Sequence, residues 1–282
     1  MRFVERLREA SRRADSLVCV GLDVDPSAIP APLRGVPEAV LQFNKAIVEA
    51  TADLVCAYKP NLAFYEALGP VGWEILAKTL RYIPRGIITI ADAKRGDIGH
   101  TARAYARAVF EIYGFDAVTV NPYLGQDSIQ PFLDYTDRGV FVLCKTSNPG
   151  ANQFQNLRVQ ANTPGESSGR PLFEIVAEAV VQWNTAGNCG LVVGATYPSE
   201  LASVRRIASE LPILIPGVGA QGGDLEEAVR CGVDARGEMI LVNSSRAILY
   251  ASSGDDFAHA ARQATERLRE AINDARRRLA AQ

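Results

Sequence analysis

GIITIADAKRGDIGHTA, residues 86–102, runs from an apolar stretch through a burst of charge into a helical pattern. Gly86–Ala91 is β-rich and uncharged, Asp92, Lys94, Arg95 and Asp97 follow, and His100–Tyr113 reads as a helix. That is one strand–turn–helix unit, and the rest of the chain repeats it. Seven further β-rich runs lie at 17–22, 53–58, 117–120, 140–144, 191–194, 213–215 and 239–242. They are nearly continuous in apolar residues, which implies burial on both faces, as in a parallel sheet. Amphipathic stretches separate them. Val40, Phe43, Ile47 and Ala50 recur at helical spacing, and so do Leu268, Ala271, Ile272, Ala275 and Leu279 in the tail. Eight βα units without a composition break predict an α/β fold of the (β/α)8 (TIM) barrel type, as one domain over residues 1–282.

Two features decorate that barrel. MRFVERLREASRRADS, residues 1–16, reads as a charged amphipathic N-terminal helix rather than a signal peptide. After the fifth strand, residues 147–170 form a long loop rich in Asn, Gly and Pro. A loop of that length inside a compact domain is a candidate lid over the barrel mouth, with a passive insertion as the alternative.

Composition narrows the function. The 282 residues are 48% hydrophobic and 22% charged, enough to bury a sizeable core. A net charge of −2 offers no basic field for nucleic acid or a membrane surface, and Arg276–Arg278 reads as a solvated face. No apolar stretch approaches the roughly 18 residues of a membrane span. Five widely spaced cysteines without a CxxC pair predict buried, reduced thiols and a cytoplasmic protein. Only His100 and His259 are present, which argues against a histidine-rich metal site. The chemistry must rest on lysines, aspartates and backbone amides.

Barrel enzymes build their sites at the C-terminal ends of the strands. Here those ends offer Asp23, Lys59, Asp92 with Lys94, Asn121, Lys145 with Ser147, Thr196, Pro216, and Ser244–Arg246. The last two loops, PGVGAQGGD (216–224) and NSSRA (243–247), suit a phosphate: glycines admit backbone N–H groups, Gln221 adds an amide and Arg246 a charged fork. Gly217, Gly219 and Gly222 spell GxGxxG, but the next strand ends in Asn243 and Ser244 rather than a ribose-binding acid, so a phosphate-gripping turn is the better reading than a dinucleotide site. Asp92 and Lys94, two apart on a strand, should project to one side, beside Lys59 and Asp23. The plainer alternatives are a surface ion pair for Asp92 and Lys94, a solvent-pointing Lys59, and a helix N-cap for Asp97.

DAKRGDIGHTA (92–102) resembles the DxKxxDIxxT motif of the orotidine 5′-phosphate decarboxylase family. GLD (21–23), YKPNLAFYE (58–66), PGVGAQGGD (216–224) and NSSRAI (243–248) extend the resemblance over nearly the whole barrel, and the loop after strand five looks like the longer bacterial branch. The resemblance implies loss of the C6 carboxylate of orotidine 5′-monophosphate as CO2, giving uridine 5′-monophosphate, with no metal or organic cofactor. It implies that Lys94 protonates C6, that Asp92 sits near the departing carboxylate, and that Lys59 and Asp23 bind the ribose. Asp97, Ile98 and Thr101 would reach the partner's site in a homodimer. Ser147 would contact the pyrimidine, with Pro216 also in contact with substrate, while Gln221, the Ser245 backbone and Arg246 hold the phosphate. In the smaller branch a glycine precedes that arginine; Ser245 stands there in this chain.

The physics suits those roles. Decarboxylation leaves a carbanion with no electron sink, and a fixed ammonium aimed at it stabilises the charge as it develops. Carboxylates around Lys94 favour its protonated form. Two rivals remain: a Mg2+-dependent keto-sugar-phosphate decarboxylase, whose family shares DxKxxD, and a catalytically silent phosphate-binding barrel.

Overall fold

The computed structural model describes residues 1–160, 169–218 and 224–281. Eight parallel strands follow one another around a closed barrel: β1 (Val18–Gly21), β2 (Ala57–Lys59), β3 (Ile88–Arg95), β4 (Ala117–Val120), β5 (Gly139–Lys145), β6 (Cys189–Val193), β7 (Ile213–Pro216) and β8 (Ile240–Ser244). β8 closes onto β1 with Val18 opposite Val242 and Cys19 opposite Asn243. The (β/α)8 expectation holds. Among the described residues, no helix is long and apolar enough to cross a membrane.

Strand side chains alternate between the lumen and the surrounding helices. The lumen is filled by Cys19, Ala57, Ile88, Ile90, Phe141, Leu214 and Leu241. Helix Phe3–Ala14 closes the lower end, burying Phe3, Leu7 and Ala10 against that layer. Phe3 stands edge-on to Phe141, with centroids 5.9 Å apart and planes at 85°. Gly139 makes the approach possible, because a Cβ there would fall on the Phe3 ring. The outer layer packs helices such as Ala39–Thr51 against Phe257–Ala280, with Phe43 lying between Tyr250 and Phe257. In the tail, Ile272 and Ala275 are buried as the periodicity predicts, whereas Ala271 faces solvent. All five cysteines are free and buried.

Three strand boundaries differ from the sequence reading, and each has a local cause. β2 begins at Ala57 rather than Asp53, because Asp53 is drawn outward to Arg262 (2.7 Å) and Leu54 turns back onto Thr51. β3 continues to Arg95, so Asp92 and Lys94 lie within the strand and not beyond it. β8 runs to Ser244, so Asn243 lies in the strand as well. Alternation from Ile88 and Ile90 then points Asp92 into the lumen, as Ala57 does for Lys59 and Leu241 for Asn243. A polar layer therefore sits on the apolar one at the C-terminal mouth.

Part of the long loop is ordered. Pro149–Gln153 forms a 3-10 turn, and Arg158–Val159 pairs antiparallel with Arg170–Pro171. Residues 161–168 of the candidate lid lie outside the described residues.

Candidate active site

Asp92 is the hub. Its Oδ2 accepts from Lys59 Nζ at 3.0 Å, while its Oδ1 accepts from Lys94 Nζ at 2.6 Å and from Thr119 Oγ1 at 3.0 Å. Lys59 is only 4% exposed, so the solvent-pointing alternative is wrong for it. Burial alone would push the Asp92 carboxyl up, but the two ammonium groups outweigh it and hold the group well below the usual carboxylate range. The same contest runs at Lys59. Burial opposes its charge, yet Asp23 and Asp92 prevail and its pKa is raised.

Simple alternation does not bring Lys94 back to Asp92. The β3–β4 register shifts between Ala91 and Arg95, and Lys94 takes the left-handed conformation at φ 48°. A non-glycine residue there costs on the order of 1–3 kcal/mol, and such strain concentrates at functional sites. Thr119 holds the irregularity: its Oγ1 accepts from Ala93 N (3.1 Å) and Lys94 N (3.0 Å) while donating to Asp92. Sequence reading missed Thr119, since it looks like an ordinary β-branched strand residue. The one available signal was a lone hydroxyl in the run Ala117–Val120.

Asp23 follows β1. Its Oδ1 accepts from Asn61 N at 3.1 Å and its Oδ2 from Ser245 Oγ at 2.7 Å. Gly21 leaves room for that serine, because a Cβ on Gly21 would coincide with Ser245 Oγ. The hydroxyl that replaces the smaller branch's glycine thus links the strand-eight turn to Asp23. Ser245→Ala is expected to raise KM for the substrate of this site about tenfold, the scale of a hydrogen bond to a charged group. Steady-state kinetics checks this, and an unchanged KM would show that the hydroxyl does not order Asp23.

Two cavities of about 660 and 510 Å³ open at the mouth and share Lys59, Asp92 and Pro216 in their walls. The larger is lined by Lys94, Thr119, Leu143, Val192 and Leu214, and by Ser147, Phe154 and Gln155 from the loop after β5. The smaller is lined by Asp23, Gly217, Asn243, Ser245, Arg246 and Tyr250. A further crevice of 580 Å³ lies at the opposite end of the barrel, beside Arg13 and Gly86, away from where barrel enzymes react. Gln221 lies outside the described residues.

Asp97, Ile98 and Thr101 line neither mouth cavity. Asp97 does not cap the following helix, whose N-cap is Ile98; its Oδ1 accepts instead from Ile98 N at 2.8 Å. Lys145, which its sequence position puts among the strand ends, is also elsewhere. A register shift after Leu143 turns it out of the lumen, where it is fully buried, donates to Asn152 Oδ1 (2.8 Å) and lies 4.0 Å over the Tyr197 ring. It pins the loop that carries Ser147.

Fold and site define the class: a (β/α)8-barrel with a lysine–aspartate–lysine array between an apolar cavity and one bordered by an arginine-bearing turn. Residues 16–263 match the profile of the orotidine 5′-phosphate decarboxylase / HUMPS family. Curated proteins named orotidine 5′-phosphate decarboxylase are similar over full length. The Dehalococcoides mccartyi protein is 52% identical, covering 99% of this chain and 100% of its own, and that of Thermomicrobium roseum is 53% identical, covering 100% and 99%. Among solved structures, the Leishmania donovani OMP decarboxylase superposes with a TM-score of 0.83 at 41% identity, covering 98% of this chain and 99% of that one. The chain belongs to the orotidine 5′-phosphate decarboxylase / HUMPS family.

Proposed function

We propose that this protein decarboxylates orotidine 5′-monophosphate to uridine 5′-monophosphate and CO2, the last step of UMP synthesis. One observation carries the reading: Asp92 is gripped between Lys59 and Lys94 on the wall shared by the two mouth cavities. The larger cavity suits the pyrimidine, against Leu143, Val192 and Leu214 on one side and Ser147 on the other. The smaller suits the ribose, beside Asp23 and Lys59, and the phosphate, at Ser245 and Arg246. Pro216 borders both halves.

In this reading the substrate carboxylate lies near Asp92. The C6–carboxylate bond breaks, CO2 leaves, and the electron pair stays on C6. Lys94 stabilises that charge and delivers a proton to it, then recovers one from water. Repulsion from Asp92 is relieved as CO2 departs, a smaller contribution than transition-state stabilisation. Grip on the remote phosphate contributes binding energy that orders the loop over the base.

The active form is a homodimer in the cytoplasm. Supporting this, Ile98, which follows Asp97, is 59% exposed, and Tyr123, in the turn after β4, is 84% exposed, and both lie outside the two mouth cavities. Asp97, Ile98 and Thr101 would complete the partner's site. Mixing Asp97→Ala with Lys94→Ala chains is expected to restore one working site per heterodimer, about a quarter to a half of wild-type turnover depending on exchange (order-of-magnitude expectation for a shared site). No rescue would place Asp97 in its own barrel.

The function itself is tested by turnover of orotidine 5′-monophosphate in EDTA. Full activity is expected. Absence of turnover, with EDTA-sensitive decarboxylation of a keto-sugar phosphate instead, would favour the Mg2+-dependent reading, and a wild type that binds UMP without turnover would favour a silent barrel.

A further inference from the structure

Asn243 is a polar side chain of the lumen beside Lys59 and Asp92. It is 7% exposed, lies in β8 opposite Pro216 of β7 and Cys19 of β1, and follows the inward-facing Leu241 by two. Its carboxamide therefore faces the lumen, and the residue lines the smaller mouth cavity together with Asp23 and Lys59. Among the described residues, Asn243 Oδ1 is buried without a hydrogen-bond partner. The other atoms in that condition belong to Arg8, Asn44, Asn188 and Thr196, none of which lines either mouth cavity. A buried carbonyl oxygen left unpaired is destabilising, so a partner arriving with the ligand is the natural account of it.

We infer that Asn243 accepts a hydrogen bond from a sugar hydroxyl of the bound nucleotide and so selects ribose over deoxyribose. The inference rests on the nucleotide reading of the two cavities. Three observations choose the sugar. Asn243 borders the smaller cavity and not the larger one assigned to the base. It lies two residues below Ser245 and three below Arg246, deeper than the turn assigned to the phosphate. The unpaired atom is an acceptor; a phosphate dianion has no proton to donate, whereas a hydroxyl does. Lys59 Nζ donates to Asp92 and Ser245 Oγ to Asp23, and neither reaches Asn243 Oδ1.

The test compares dissociation constants of UMP, 2′-deoxy-UMP and 3′-deoxy-UMP for wild type and Asn243→Leu, a near-isosteric change that removes the amide. The wild type should prefer UMP to both. Asn243→Leu should weaken UMP about tenfold, the worth of one buried hydrogen bond. It should bind one of the two deoxynucleotides as the wild type does, so that the preference over that analogue disappears. Equal weakening of all three ligands would mean a structural role, and no change in any would mean no contact; either overturns the assignment. Asn243→Ser carries the same comparison should the leucine variant not fold. Wild-type turnover of orotidine 5′-monophosphate is measured alongside. If that is absent the decarboxylase reading falls and takes this one with it, whereas turnover with an unaltered ribose preference in the variants sinks the Asn243 assignment alone.

Discussion

Lys94→Ala is expected to lower kcat on orotidine 5′-monophosphate by at least about 10⁴-fold while UMP binding changes by less than about tenfold. General acid catalysis supplies roughly 10²–10⁴ and a preorganised charge at the developing anion a further 10²–10³, and this ammonium is assigned both. The structure explains why a smaller effect is not expected. Lys94 is held in a left-handed conformation, through two backbone hydrogen bonds to Thr119, with its ammonium 2.6 Å from Asp92. Among the described residues, the other lysine on the wall of the larger cavity is Lys59, which is buried and donates to Asp92. Single-turnover kinetics and UMP titration together check the split, and a kcat within tenfold of wild type would remove Lys94 from the proton-donor role.

Asp92→Asn should be nearly as damaging, for two separable reasons. It removes the carboxylate that orders both ammonium groups, and kcat should drop by about 10³-fold or more. It also leaves Lys59, 4% exposed, with Asp23 alone among the described carboxylates acting on its charge, so stability should fall by about 3 kcal/mol, the scale of breaking a buried pair. The pH dependence follows in sign. The folded Asp92 carboxyl titrates below its unfolded value of about 3.9, so its stabilisation is complete above that pH and is lost as pH falls through the lower, folded value. The folded Lys59 ammonium titrates above its unfolded value of about 10.4, so its contribution is complete below that pH and is lost as pH rises through the folded one. Denaturant midpoints of wild type should therefore show no contribution from this pair to any slope between about pH 5 and 9. In Asp92→Asn the wild-type excess of stability should be largest in that window and shrink in acid. An equal difference at pH 7 and pH 2.5 would contradict the account.

Much of this was legible in the chain. Apolar runs such as Val140–Cys144 mark buried parallel strands because no solvent face interrupts them. Asp23, Lys59, Asp92 and Lys94 could be placed at the mouth because charges at successive strand ends converge there once the barrel closes. What stayed hidden depends on register. The shift that strains Lys94 and the one that turns Lys145 outward are properties of paired strands, invisible in either strand alone. Thr119 and Asn243 look like unremarkable strand residues until closure puts them in the polar layer. Ser245 was read through its backbone, and its side-chain bond to Asp23 depends on the missing Cβ of Gly21, 224 residues earlier by their numbering.

The central claim is that Lys94 protonates a carbanion left at C6 after CO2 departs. Turnover of orotidine 5′-monophosphate in D2O, followed by proton NMR of the product, tests it most directly. The account predicts stoichiometric UMP carrying deuterium at C6, since the lysine protons exchange with solvent. Untouched substrate, or UMP with protium at C6, would contradict it.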